Sequence, residues 1–400
     1  MKILIADKFD ASGIEQLKSS NCEVVFEPDT SADQLQEAIE KHAPNVLIVR
    51  STKVSAEAIG SGQQLSLIVR AGAGYDTIDV AEASRRGVYV ANCPGKNSVA
   101  VAELAWGLIL ACDRRIPDQS NDLRNGVWNK KEYAKASGLK GRTLGIVGIG
   151  QIGQEIAKRG KAFGMHVVAW SRSLTAAKAE QLDVGYCENF DVLAQQSDVV
   201  SVSVAATKET EKLISKSFIG KMKQGAYLIN TSRGSVVDQA ALEAGIKDQG
   251  IRAGLDVFAN EPGSGKDKFA ESITDLPGVY GTHHVGASTS QAQAAIANEA
   301  VRVILNYCQS GDVDNCVNMA TQTTANWMLT VRHLNLPGVL AHVFEVIGEA
   351  KINVEEMQNV IYDGAEAACA KIQLADKLAD QPLEQIRSNQ NILSLELNEL

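Results

Sequence analysis

Residues Thr143 to Gly164 read TLGIVGIGQIGQEIAKRGKAFG, and the order of residue types in this stretch decides the fold. Branched apolar residues run to Val147. Gly148, Gly150 and Gly153 follow at the spacing G-x-G-x-x-G, and Ile152, Ile156 and Phe163 then mark a helical pattern. A strand feeding a tight turn and a helix N-terminus leaves unpaired backbone N–H groups, and the positive end of the helix dipole, where a pyrophosphate can lie. Gly148 permits the turn, Gly150 lets the backbone approach phosphate oxygens, and Gly153 lets helix and strand pack closely. With Gln151 and Ile152 in the same turn, these residues form the expected cofactor cradle. The chain has 33 glycines, so the triplet alone says little; the strand before it and the helix after it carry the reading.

Working outward, branched segments alternate with helical ones on both sides. Before the fingerprint come KILIA, EVVFE, NVLIVRS, LSLIVRAGAGYD and VYVAN; after it come HVVAWSR, VVSVSV, AYLINTSR, IRAGLDVF and GVYGTHH. Such alternation implies parallel sheets covered by helices. Val99 to Cys112 reads as a buried helix capped by Ser98, and Gly164 and Gly185 as helix and loop ends. A long helix after His284 is expected to pack back on the N-terminal unit. Beyond a polar stretch near Asp312 to Thr323, the pattern becomes β-α-β-β-α-β, the ferredoxin-like split.

The expected architecture is α/β: a flavodoxin-like substrate domain from residues 1–96 plus 285–318, a Rossmann-type dinucleotide domain over 97–284, and a ferredoxin-like domain over 325–400.

Bulk properties narrow the function. A hydrophobic content of 45% with 22% charged residues is ordinary for a globular protein. The net charge of −9 argues against nucleic acid or an anionic membrane as partner, so any anion site is local. Seven scattered cysteines without a C-x-x-C pair favour reduced thiols in a cytoplasm over disulfides or a metal site. KILIA follows Met1 directly, unlike a signal peptide, and Val99 to Cys112 is too short to span a bilayer.

The strand HVVAW ends in Ser171-Arg172-Ser173, where NAD-binding folds of this type place an acid for the adenosine ribose. A hydroxyl and a guanidinium can both donate to a 2′-phosphate. The cofactor is therefore expected to be NAD or NADP, with a lean toward acceptance of NADP.

Three polar clusters end strands of the second unit: Asn230 to Gly234, Asp256 to Pro262, and Thr282 to Thr289. Arginine, glutamate and histidine in such loops suit hydride chemistry on a 2-hydroxy acid. A guanidinium fork binds the substrate's carboxylate or carbonyl oxygen, an imidazole exchanges the hydroxyl proton, and a neighbouring carboxylate fixes the imidazole tautomer.

INTSRGSVVD, GLDVFANEP, HHVGASTSQAQ and GIVGIGQIG together resemble the signatures of the D-isomer-specific 2-hydroxyacid dehydrogenases, and within that family its members acting on D-3-phosphoglycerate. The resemblance covers nearly the whole chain. It implies Arg233 as substrate-orienting arginine, Glu261 as partner acid and His284 as acid/base. The family usually has Pro before that histidine, where this chain has His283; His284 keeps the spacing to Gly-Ala-Ser-Thr, while His283 reads as packed or solvent-facing. By the same resemblance Arg50, Ser51, Ala71, Gly72, Ala73, Gly74 and Asn97 line the substrate cleft, and Asp256 lies near the nicotinamide. Arg50, Arg70 and Lys130 or Lys131 are candidates for a substrate phosphate.

VRHLNLPGVL followed by KINVEEM resembles an ACT regulatory domain. The resemblance implies that His333 and Asn335, in a loop before the first helix, and Asn353, at the start of the second strand, bind L-serine between paired modules. A homodimer or homotetramer follows from the same likeness. Two alternatives stand beside this reading: a glyoxylate or hydroxypyruvate reductase of the same chemistry, and a nucleotide-sensing binding protein like the corepressors built on this scaffold.

Overall fold

The computed structural model describes residues 1–262 and 268–400. The chain divides into two compact units, Met1–Asn318 and Met319–Leu400. The first unit holds two sheets. One contains β1 (Lys2–Ile5), β2 (Glu23–Phe26), β3 (Val46–Val49), β4 (Leu67–Arg70) and β5 (Tyr89–Asn92), all parallel, in the order β2-β1-β3-β4-β5. The other contains β6 (Thr143–Val147), β7 (His166–Trp170), β8 (Gly185–Tyr186), β9 (Val199–Val202), β10 (Tyr227–Asn230), β11 (Arg252–Leu255) and β12 (Val279–Gly281), also parallel, in the order β12-β11-β10-β9-β6-β7-β8.

Both orders reverse direction once, between β1 and β3 and between β6 and β9. In open α/β sheets that reversal opens a crevice beyond the carboxyl ends of the strands, where ligands bind. The residues that follow β1, β3, β6 and β9 are therefore the ones the topology offers to a ligand.

The strands are apolar on both faces because helices cover both. All four residues of β3, β9 and β10 are buried. One face of the first sheet packs Ile3, Ile5, Val46, Ile48, Leu67 and Val69 against Ile296, Ala300, Val301, Val303 and Ile304 of the helix Ser290–Ser310. That helix also packs against Ala11–Ser19, so the chain returns to its N-terminal sheet after building the second. In the second sheet, Trp106 of helix Ser98–Arg114 stacks on Phe163 with ring centroids 4.4 Å apart, and its Nε1–H donates to the Ile156 carbonyl at 3.2 Å.

Two local expectations are corrected. Ser98 is the first residue of its helix, and Asn97 occupies the cap position. Gly185 lies in the short strand β8, paired with Val168 of β7; an edge position tolerates its missing side chain.

The second unit is an antiparallel sheet of β13 (Trp327–Leu334), β14 (Val354–Ile361), β15 (Ala367–Leu374) and β16 (Ile392–Glu399), in the order β14-β15-β13-β16. Helices Val339–Glu349 and Asp380–Arg387 complete the β-α-β-β-α-β sequence. Leu329, Val331, Val343, Ile347, Ile372 and Ile386 form its core. His333 is not in a loop: it lies in β13 and is 2% exposed. Its position continues the inward alternation of Leu329 and Val331, which a polar residue before LPG obscures. Among the described residues no helix is long and apolar enough to cross a membrane.

Candidate active site

The fingerprint occupies the reversal point of the second sheet. Gly148 has φ 93°, and a Cβ there would lie 2.4 Å from the Ser203 carbonyl oxygen, which follows β9. A Cβ on Gly153 would lie 2.2 Å from the Gly148 carbonyl oxygen, so helix Gln151–Ala162 starts hard against the turn. A Cβ on Gly150 would meet nothing within 4 Å. The open side of the turn thus coincides with the start of the helix, where the amides of Gln151, Ile152 and Gly153 precede any helical carbonyl partner.

Side-chain oxygens of Ser203 and Thr231, beyond the ends of β9 and β10, are buried without a hydrogen-bond partner among the described residues, as is Asn97 Oδ1. Orphaned polar atoms of this kind call for a polar ligand, and the cradle fits a dinucleotide. Ser171 and the exposed Arg172 follow β7 directly, with Glu209 close enough to feel the charge of Arg172.

Three catalytic candidates lie beyond the ends of β10, β11 and β12. His284 Nδ1 is 2.6 Å from Glu261 Oε2, and the Phe258 N–H donates to Glu261 Oε1 at 2.9 Å. Burial raises the Glu261 carboxyl, but the His284 and Phe258 hydrogen bonds outweigh it and hold the group below the usual carboxylate range. His284 has φ 52°, the left-handed region. Its loop is held by Asp256, which is 1% exposed. Asp256 Oδ1 accepts from Thr282 Oγ1 at 2.6 Å and Val285 N–H at 2.9 Å, Oδ2 accepts from Gly286 N–H at 2.9 Å, and the Asp256 carbonyl accepts from His284 N–H at 2.8 Å. Asp256 therefore serves the histidine loop with both carboxylate oxygens. His283 is exposed.

Arg233 leaves β10 with its backbone fixed by Asn230, whose Nδ2 donates to the Arg233 carbonyl at 2.9 Å. Its guanidinium reaches the loop that follows β4 of the first sheet: Nε and Nη2 donate to Asp76 Oδ2 and Oδ1 at 3.0 and 2.9 Å. The loop Ala71 to Gly74 wraps this pair, and a Cβ on Gly74 would lie 2.2 Å from Arg233 Nη2. The Ala73 carbonyl accepts from Asn92 Nδ2 at 2.6 Å. Gly72, at φ 153°, lies against Arg70; a Cβ there would be 1.5 Å from Nη1. Burial, then the charge of Arg233, pushes the Arg70 guanidinium down to about 10, and its Nε is buried without a partner among the described residues.

Arg50 donates through Nη2 to Ser288 Oγ at 3.1 Å, while its N–H and those of Ser51 and Thr52 donate to Asp7. Cationic side chains from both sheets thus meet beside the histidine loop's continuation.

The structure brings Arg233 to Gly74, His284 to Glu261, and Gln151 to the loop at Gly95, where a Cβ would lie 1.4 Å from Gln151 Oε1. Lys130 and Lys131 start a separate four-residue helix and have no contact with this cluster among those described. Asp76 is the participant that sequence reasoning passed over; it closes the segment RAGAGYD, but its partner Arg233 lies 157 residues away in sequence.

In the second unit, His333 Nδ1–H donates to the Leu334 carbonyl at 2.8 Å and Nε2 lies 3.3 Å from Asn359 Oδ1. Asn335 Nδ2 donates to the Ala365 carbonyl at 3.0 Å, and Asn353, which precedes β14, donates to Glu355 at 2.8 Å.

Residues 106–286 match the family described as D-isomer specific 2-hydroxyacid dehydrogenase, NAD binding domain. The chain is 35% identical over 348 residues to a D-3-phosphoglycerate dehydrogenase of Archaeoglobus fulgidus, covering 86% of this chain and 64% of that one. It therefore spans less than two thirds of that relative's length. It is 40% identical over 306 residues to a hydroxypyruvate reductase of Thermotoga maritima, covering 76% of this chain and 97% of the relative. Among solved structures, an NADPH-dependent glyoxylate/hydroxypyruvate reductase of Sinorhizobium meliloti, in complex with NADP and malonate, aligns with a TM-score of 0.69 at 28% identity, over 79% of this chain and 96% of that one.

Proposed function

Because the chain belongs to the D-isomer specific 2-hydroxyacid dehydrogenase family, we propose that it transfers hydride between a nicotinamide cofactor and a D-2-hydroxy acid. The observation that carries this reading is the Glu261–His284 pair at 2.6 Å, set beyond the same strand ends as Arg233. Glu261 accepts a hydrogen bond from Nδ1–H, which leaves Nε2 as the nitrogen that removes the hydroxyl proton in oxidation and, carrying that proton, returns it in reduction. Arg233 binds the substrate carboxylate and draws charge from the reacting carbonyl. Gly148 to Gly153 hold the pyrophosphate, Ser171 and Arg172 face the adenosine ribose, and the bound nicotinamide supplies the hydride acceptor or donor. In this reading residues 1–96 and 285–318 bear the substrate loops and residues 97–284 the dinucleotide.

The substrate we favour is D-3-phosphoglycerate, oxidised to 3-phosphohydroxypyruvate toward L-serine in the cytoplasm. The match to the archaeal enzyme of that name covers 86% of this chain, against 76% for the hydroxypyruvate reductase and 81% for a glyoxylate reductase. Three arginines, Arg50, Arg70 and Arg233, suit a substrate with two anionic ends. A second reading, glyoxylate or hydroxypyruvate reduction with NADPH, draws support from Ser171-Arg172.

A substrate panel with both cofactors separates the two: 3-phosphoglycerate, 2-oxoglutarate, glyoxylate and hydroxypyruvate. A kcat/KM for glyoxylate or hydroxypyruvate tenfold above that for the phosphorylated pair rejects the first reading. The ACT-like reading of the second unit, with L-serine held near Asn335 and Asn353 of paired copies, predicts that serine lowers activity and raises Tm; no change in either rejects it. Exposed Ile116, Leu123, Val127 and Trp128 support a homo-oligomer.

A further inference from the structure

Arg233 and Asp76 lie 157 residues apart in sequence, one beyond β10 and the other beyond β4, and they meet in a bidentate pair at 2.9 and 3.0 Å. The pair consumes the Nε–H and one N–H of Nη2. Nη1 donates to the Ser232 carbonyl at 2.8 Å. A guanidinium carries five N–H donors, so one remains on each of Nη1 and Nη2. Two parallel donors on one edge match the two oxygens of a carboxylate.

The surroundings explain why a carboxylate is needed on the other edge. Arg70, the last residue of β4, lies buried beside Arg233, and its guanidinium is held down first by burial and then by the charge of Arg233. The Gly74 backbone approaches so closely that a Cβ would lie 2.2 Å from Nη2 and 3.0 Å from Asp76 Oδ1. Asn92 fixes this loop through the Ala73 carbonyl. The loop is thus shaped to bring one anionic side chain across the cleft onto Arg233, against the repulsion of its neighbour.

We propose that Asp76 is a positioning residue: it links the loops beyond β4 and β10 and grips the Nε edge of Arg233, so that the Nη1/Nη2 edge faces the substrate carboxylate. This rests on the reading of the cleft as a 2-hydroxy acid site. It requires that Asp76 act only through Arg233, and that a small planar dicarboxylate such as oxalate bind through the edge so presented.

The test uses the full chain and four variants, Asp76→Ala, Asp76→Glu, Arg233→Ala and the double Asp76→Ala/Arg233→Ala. Three quantities are measured: NADH affinity by fluorescence, oxalate affinity in the presence of NADH by calorimetry, and steady-state reduction of hydroxypyruvate. Asp76→Ala is expected to bind NADH within twofold of the unaltered chain, to bind oxalate at least tenfold more weakly, and to lose at least tenfold in kcat with a smaller change in KM. Asp76→Glu recovers part of both losses. The double variant matches Arg233→Ala, because Asp76 has nothing left to orient.

Tighter or unchanged oxalate binding in Asp76→Ala overturns the proposal, since Asp76 would then be a competitor for Arg233 or a bystander. Loss of NADH binding overturns it in favour of a general structural role. Equal losses in the presence and absence of Arg233 also overturn it. If the unaltered chain reduces no 2-oxo acid, the functional reading fails, while the oxalate series still decides the role of Asp76.

Discussion

His284 Nδ1 lies 2.6 Å from Glu261 Oε2 while the His284 backbone is held at φ 52° by its own N–H bond to the Asp256 carbonyl. A non-glycine residue in this region is strained, and such strain collects where a side chain must be aimed. The aim here is set from two sides, by a carboxylate at the ring and by a buried aspartate under the loop. His284→Asn is expected to lower kcat by about 10² to 10⁴, roughly 3 to 5 kcal/mol of barrier. Glu261→Gln, which keeps the shape and removes the charge, is expected to lose about 10² in kcat with KM less affected. Steady-state kinetics in both directions check both variants; full activity in His284→Asn rejects the assignment.

Ser171→Asp tests the cofactor reading. A carboxylate at the end of β7 accepts from ribose hydroxyls and repels a 2′-phosphate. The ratio of kcat/KM with NADPH to that with NADH is expected to fall at least tenfold, about 1.4 kcal/mol or more. If the unaltered chain already prefers NADH tenfold, the lean toward NADP is wrong.

Gly148→Ala should damage the cradle without touching any catalytic side chain. The residue has φ 93°, and its new Cβ would meet the Ser203 carbonyl oxygen at 2.4 Å. Strain of this kind costs on the order of 1–3 kcal/mol. The expected result is a lower Tm and at least tenfold weaker NADH binding, read by thermal melting and fluorescence titration.

Glu299 supplies a pH-dependent prediction. Its carboxylate accepts from Arg302 at 2.8 and 3.2 Å and from Asn315 at 2.8 Å, and pairs with Lys96 at 3.1 Å. Arg302 is the chief cause that brings the group from an ordinary 4.5 to about 2, against the opposing effect of burial. A depressed carboxyl stabilises the fold fully above its unfolded pKa, and that contribution drains away as pH falls from about 4.5 toward about 2. Glu299→Gln is therefore expected to be less stable than the unaltered chain by roughly 2–4 kcal/mol near neutrality. The gap should close across that acid window, as read by urea denaturation at stepped pH; a gap that persists at pH 2 contradicts the linkage.

The parallel sheets and the cradle were legible because both rest on local order. Four-residue branched runs buried on both faces stand out in sequence, and Gly148, Gly150 and Gly153 sit between a strand and a helix. Relations between distant loops were not legible. Nothing near Asp76 announces that it will meet Arg233, since the two lie beyond different sheets, and only the tertiary fold closes that distance. His333 misled for the opposite reason: its polarity and the following LPG suggest a loop, yet buried hydrogen bonds let an imidazole occupy an inward strand position. Ser98 and Asn97 differ by one residue in a capping role that both types can fill, and sequence does not separate such neighbours.

The helix Ser290–Ser310 has a consequence for how this chain is made. Ile3, Ile5, Val46, Ile48, Leu67 and Val69 find their covering layer in Ile296, Ala300, Val301, Val303 and Ile304. During synthesis, then, the strands of the first sheet, complete at Asn92, precede that helix by about two hundred residues. β6 to β12 lie between the strands of the first sheet and the helix that covers them, so the second sheet is made before that cover is. Folding during translation is usually ordered from the N-terminus, domain by domain; here the helix that covers the N-terminal sheet is made only after every strand of the second sheet.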